Sequence, residues 1–156
     1  MQIGYTASGD LQLKTKTETV TMGAGLRIGS KVIPGPGEYD VASIQCEGMA
    51  IDGTVAYFIR TEDLMITFLT GLDGLVTKLE DISDTAILVA DVRSDDTPEA
   101  AKKIIKALEP YYVFLIGAGA TPDFIAKLEL PQSEDSTLKI TRAGLPLEGT
   151  TIIPNR

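Results

Sequence analysis

The sequence predicts one α/β domain in which packed sheets carry helices on their outer side. Three observations predict it. The first half is β-prone and punctuated by glycine, and the second half alternates helix with strand. Most strands are also apolar on both sides, which requires a layer above and below them. The chain of 156 residues fits a single domain, 1–156, and a chain of that size buries roughly two thirds of its unfolded surface without covalent staples.

Residues 11–16 alternate Leu11 and Leu13 with Gln12 and Lys14, the pattern of a half-buried strand. Residues 20–22 and 26–28 are short β-prone pieces between turn residues. Pro34, Gly35, Pro36, Gly37 and Glu38 then form a tight structural corner. Two prolines fix φ and remove amide donors, and two glycines admit angles other residues avoid. One long strand is expected next, with Ala42, Ile44, Cys46 and Gly48 on one side and Val41, Ser43, Gln45 and Glu47 on the other. Residues 54–60 and 64–69 read as a hairpin turning through Arg60, Thr61, Glu62 and Asp63.

Beyond residue 72, Leu75, Leu79 and Ile82 form the apolar stripe of a helix capped by Asp73. Residues 86–90 are a buried strand. Thr97, Pro98 and Glu99 supply a capping hydroxyl, a proline at the first helical position and an acid at the positive dipole end. That helix turns Ala101, Ile104, Ile105 and Leu108 inward and stops at Pro110. Residues 111–116 form another buried strand, and Thr121, Pro122 and Asp123 open a short helix burying Phe124, Ile125 and Leu128. A polar loop at 131–136, a strand at 138–142 and an apolar piece at 150–153 complete the chain.

The formal net charge is −8 and there is no histidine. That balance repels phosphate backbones and anionic lipid, so neither nucleic acid nor membrane is an expected partner. Lys102, Lys103 and Lys106 read as the wet face of a helix. Cys46 is the one cysteine, which rules out an internal disulfide and a multi-thiolate site. Its nearest charge, Glu47, has the wrong sign to activate a thiol. The start of the chain has no basic-then-apolar pattern, and no stretch approaches the roughly 20 apolar residues of a membrane span, so a cytoplasmic setting is expected.

The run Pro34-Gly35-Pro36-Gly37-Glu38-Tyr39-Asp40-Val41, followed by the 54–69 hairpin, resembles the metallo-β-lactamase superfamily. The similarity is to its short bacterial branch of ascorbate-phosphate lactonase-like proteins. The buried strand at 86–90, the helix ending in Leu108-Glu109-Pro110, and the opening residues 1–22 with Lys14-Thr15-Lys16-Thr17 fit the same order. The resemblance implies a reduced αββα sandwich with a dinuclear metal site at one sheet edge. It also implies that this chain lacks the ligands. The family's histidine-rich loop would fall in residues 22–32, which are too few to hold it. Its bridging aspartate would fall at Thr70-Gly71, and its later histidine near Gly117.

No metal, no cofactor and no catalytic residue is therefore expected. Asp91, Asp95 and Asp96 follow a strand end and could bind a hard cation, or cap the turn before the Thr97 helix. Gly117, Gly119 and Thr121 sit at a strand-to-helix turn where amides attract anions, which suggests a small-anion or nucleotide-phosphate site. Glu38, Asp73 and Asp91 are the acids left for a metal-free hydrolase, with nothing in their spacing to pair them. The leading expectation is a non-catalytic binding or assembly module. Strands 64–69 and 86–90, uncovered by loss of the metal loop, and edge pairing of residues 26–28 would then make a homodimer, or a site for another protein partner.

Overall fold

A computed structural model describes residues 1–72, 82 and 84–155. The strands are β1 (Gln2–Tyr5), β2 (Leu11–Lys14), β3 (Thr19–Met22), β4 (Leu26–Ile28), β5 (Lys31–Ile33), β6 (Gly37–Val41), β7 (Ile44–Ile51), β8 (Thr54–Thr61) and β9 (Leu64–Leu69). Then follow β10 (Ile87–Asp91), α1 (Pro98–Leu108), β11 (Tyr112–Ile116), α2 (Pro122–Lys127), β12 (Thr137–Lys139) and β13 (Thr151–Ile153). The expected helix over Asp73, Leu75 and Leu79 lies outside the described residues; Ile82 is buried.

Two sheets pack face to face. One is antiparallel in the order β12-β1-β2-β3-β4-β5; the other is mixed, β13-β11-β10-β9-β8-β7-β6. The alternation read from Leu11 and Leu13 recurs in β3 and β4, so Leu11, Leu13, Val20, Met22, Leu26 and Ile28 are all fully buried between the sheets. Opposite them stand Ile44, Ile59, Ile66, Phe68, Val89 and Phe114. The far face of the second sheet buries Ala56, Leu69, Leu88, Ala90, Val113 and Leu115 against Ala101, Ile104, Ile105 and Leu108 of α1 and Phe124 of α2. The strands β9, β10 and β11 of the second sheet are thus covered on both faces, as their apolar sequences demand, while β6 and β7 expose Glu38, Asp40, Gln45 and Glu47.

The first sheet is not covered in this way. Gln2, Lys14, Arg27 and Lys139 point outward and are exposed, and both described helices lie on the second sheet. Among the described residues the layers are β-β-α. Among the described residues no helix covers the outer face of the first sheet, which is polar enough to stand in water.

Two surfaces differ from what the sequence suggests. Strands β9 and β10 are central, and every residue from Leu64 to Leu69 and Ile87 to Ala90 is buried, so neither strand is left bare. Leu26–Ile28 is paired on both sides, by β3 and by β5, and offers no free edge. The expected long strand after the corner is also two strands. Ala42 and Ser43, at φ 50 and 65, close a hairpin in which Val41 pairs Ile44.

The corner carries the chain from one sheet to the other. Gly35 and Gly37 both sit at φ 142, and the Tyr39 hydroxyl donates to the carbonyl of Gly35 at 2.9 Å. A Cβ on Gly48, the register partner of Gly37, would meet the Gly35 oxygen at 2.7 Å. The C-terminal segment closes the sandwich: β12 joins the first sheet, β13 joins the second, and the Tyr5 hydroxyl donates across to Ile153 O at 2.6 Å. No described helix is long and apolar enough to cross a membrane.

Candidate functional site: the glycine-lined end of the sandwich

Strands β9, β10 and β11 run parallel, with Leu69 beside Ala90 and Asp91 beside Ile116. Their C-terminal ends therefore bring Gly71, Asp91 and Gly117 to one end of the sandwich. In open α/β sheets that is the end where ligands bind. The β3–β4 turn lies there too, tied by Gly23 N–H donating to Gly25 O at 3.0 Å. A cleft of about 420 Å³ is bordered by Asp10, Gly23, Ala24, Asp91, Gly117 and Asn155. The stretches that the resemblance assigns to the metal centre converge on this end.

What the chain places there is backbone packed on backbone. Gly71 sits at φ 151, and a Cβ on it would be 2.9 Å from Thr54 Cγ2 and 3.1 Å from Cζ and Nε of Arg93. Gly117, at φ 91, has room for no side chain because the Asp91 carboxylate and the Val92 carbonyl lie against it. A Cβ on Gly119 would strike the Arg93 carbonyl. The strand ends are stitched by Val92 N–H to Ile116 O at 2.8 Å and Gly119 N–H to Val92 O at 2.9 Å. These glycines permit a close approach of two chain segments.

The same bonds account for the donors of the strand-to-helix turn. Ala120 N–H goes to Gly117 O, Thr121 N–H to Gly119 O, and Phe124 N–H to the Thr121 hydroxyl. With Gly119 N–H already on Val92, four amides that an anion at Gly117, Gly119 and Thr121 could use serve the turn itself. The Asp91 carboxylate beside Gly117 adds a like charge.

The acids divide. Asp96 is buried, its carboxylate accepting from Arg93 N–H at 2.7 Å and Leu72 N–H at 3.4 Å, so it holds the loop before α1 to the end of β9. Asp95 is exposed. Asp91 faces the cleft with its carboxyl pKa raised, first by burial; Arg93 opposes this, and Asp96 and Asp10 add to it. Two divalent transition ions need imidazoles and bridging carboxylates to lower a bound water towards neutrality. The chain has no imidazole, and no group of three or more His, Cys, Asp or Glu side chains could hold an ion among the described residues. The donor set does not fit the dinuclear centre.

No family model matches this chain, and no curated protein matches it. A solved structure does: a proposed zinc-dependent hydrolase of the metallo-β-lactamase superfamily from Thermotoga maritima. It superposes with a TM-score of 0.70 over 99% of this chain and 98% of its own, at 15% identity. The chain has the metallo-β-lactamase fold. At that identity the shared architecture is what the likeness establishes. Among the described residues the metallo-β-lactamase fold is here built with three layers and without a long loop between β3 and β4.

The remaining candidates lie elsewhere. Glu38 is exposed on β6 and borders a different cleft, with Asp40, Glu47, Phe58 and Met65, so it does not meet Asp91. Asp73 lies outside the described residues. Cys46 is buried, and burial first, then Glu47, pushes its thiol up to about 12. Lys102, Lys103 and Lys106 are exposed on α1. Arg93 was not a candidate on sequence grounds, since an exposed arginine in a polar turn carries no signal of the glycine it will cover.

Proposed function

We propose that this chain is a non-catalytic form of the metallo-β-lactamase fold, retained as a binding and assembly module. The observation that carries the reading is the packing of Gly71, Gly117 and Gly119 against Thr54 and the 91–93 segment at the would-be metal end, with the Arg93 guanidinium beside Gly71. Two side-chain-free positions, Gly71 and Gly117, stand where the resemblance calls for an anionic and an imidazole ligand, with the Arg93 guanidinium beside the first. Its motif order is similar to that of the ascorbate-phosphate lactonase branch, whose ligand positions it does not keep. The scaffold meanwhile keeps its core, with both faces of β9, β10 and β11 buried.

The test is activity with metal supplied. The purified protein, incubated with zinc or manganese, is assayed on lactone, phosphodiester and β-lactam substrates, with chelator-treated protein as the reference. The expected result is no metal-dependent turnover and an unchanged melting temperature. Turnover that appears with metal and disappears with chelator would end this reading.

A further inference from the structure

We propose that two copies associate about a two-fold axis, with the Leu147–Glu148 tip of each protomer seated in the Arg60 cleft of its partner. This names a surface for the assembly reading and rests on it. The cleft, about 930 Å³, lies at the end of the sandwich opposite the glycine-lined one, where β10 begins and α1 ends. Its wall includes buried Leu64, Met65 and Leu108, and its lining includes exposed Arg60 and Arg142.

The tip is a fixed feature. Arg142 Nη1 donates to Asp63 O at 2.9 Å, and the Thr141 hydroxyl accepts from Gly144 N–H at 3.1 Å, which holds the first foot of the loop. Leu145 packs against the core between the sheets. The second foot is held by the Thr150 hydroxyl donating to Pro110 O at 2.6 Å and by Thr151 N–H to Tyr111 O at 3.0 Å. Between these feet Leu147 is 100% exposed, against 61% for Val32, the other exposed large hydrophobe among the described residues. An anchored apolar tip in water gains by finding cover.

Charge selects the occupant. No carboxylate lies within ion-pair distance of Arg60 or Arg142 among the described residues, and Glu148 beside the tip has no ion pair among them. Copies of net charge −8 repel at long range, so association needs local complementarity, and Glu148 against the partner's Arg60 supplies it twice. Asp63, Asp84 and Glu109 outnumber the two arginines of the cleft lining, which disfavours a free multivalent anion and leaves Arg60 as the point where a single carboxylate on an apolar segment can pair. Arg142 and Leu145 belong both to the cleft lining and to the loop carrying the tip. Tip and cleft side by side on one surface form the self-complementary patch that a two-fold dimer uses.

Sedimentation velocity from low to hundreds of micromolar tests this on four proteins. The wild type is expected to dimerise. Leu147→Asp and Arg60→Glu are each expected to weaken the dimer by about tenfold or more, with melting temperatures of the monomers unchanged because both side chains are exposed. The double variant Arg60→Glu with Glu148→Arg is expected to dimerise again. A wild type that stays monomeric, a dimer indifferent to both single changes, or single variants that the double change does not rescue would each overturn the proposal. None of these outcomes touches the non-catalytic reading, which is tested separately by turnover, with and without metal, in the same preparation.

Discussion

At the scale of single residues, the decisive positions are those where a side chain is absent or misplaced. Gly71 and Gly117 read in sequence as missing ligands, and Gly119 as part of an anion-binding turn. In the structure they are contacts: each removes a Cβ that would strike Arg93, Asp91 or the 92–93 backbone. Sequence shows the glycine but not its neighbour, because the neighbour comes from another strand end. Asp91 makes a testable case. Burial raises its folded pKa above the unfolded value, so the folded state binds the proton more readily and stability falls as pH rises through the folded pKa. Asp91→Asn is therefore expected to raise the melting temperature at neutral pH. The gain should fade as pH falls towards and below about 4, the unfolded carboxylate pKa, beneath which both states are protonated. Paired melting curves across pH check this; a loss of stability at neutral pH would show that Asp91 is held by an interaction stronger than its desolvation.

At the scale of elements, local chemistry made some structure legible and hid the rest. The Thr97 and Thr121 starts are both realised, each hydroxyl accepting an amide three residues on, at 3.2 and 3.1 Å. The inward set of α1 is the one its spacing gives, Ala101, Ile104, Ile105 and Leu108. The β6–β7 hairpin stayed hidden because its turn is Ala42-Ser43, two residues forced to positive φ without glycine or asparagine to announce it. Tertiary pairing of β7 with β8, from Gln45 against Arg60 to Ile51 against Thr54, overrides that local cost. The double variant Ala42→Asn with Ser43→Gly supplies an asparagine and a glycine, the pair that favours this turn. It is expected to stabilise the fold by about 1 kcal/mol. A rise in the denaturant midpoint at constant slope checks it, and a fall would mean the Ala42 or Ser43 side chain makes a contact worth more than the strain.

At the scale of the whole molecule, the order of motifs from the Pro34 corner to Pro110 was enough to place the chain in the right fold. The layer count was not legible, because the outward Gln12, Lys14 and Arg27 look alike whether a sheet faces water or a partner. The expectation that strands 64–69 and 86–90 would be bare failed for a physical reason: both are central in the second sheet, between the first sheet on one side and α1 and α2 on the other. The central claim is that glycine backbone and Arg93 occupy the would-be metal end in place of ligands. Elemental analysis of protein purified without chelator, after equilibration with excess zinc and desalting, tests it most directly. The account predicts no stoichiometric transition metal. One or more tightly held ions per chain would contradict it.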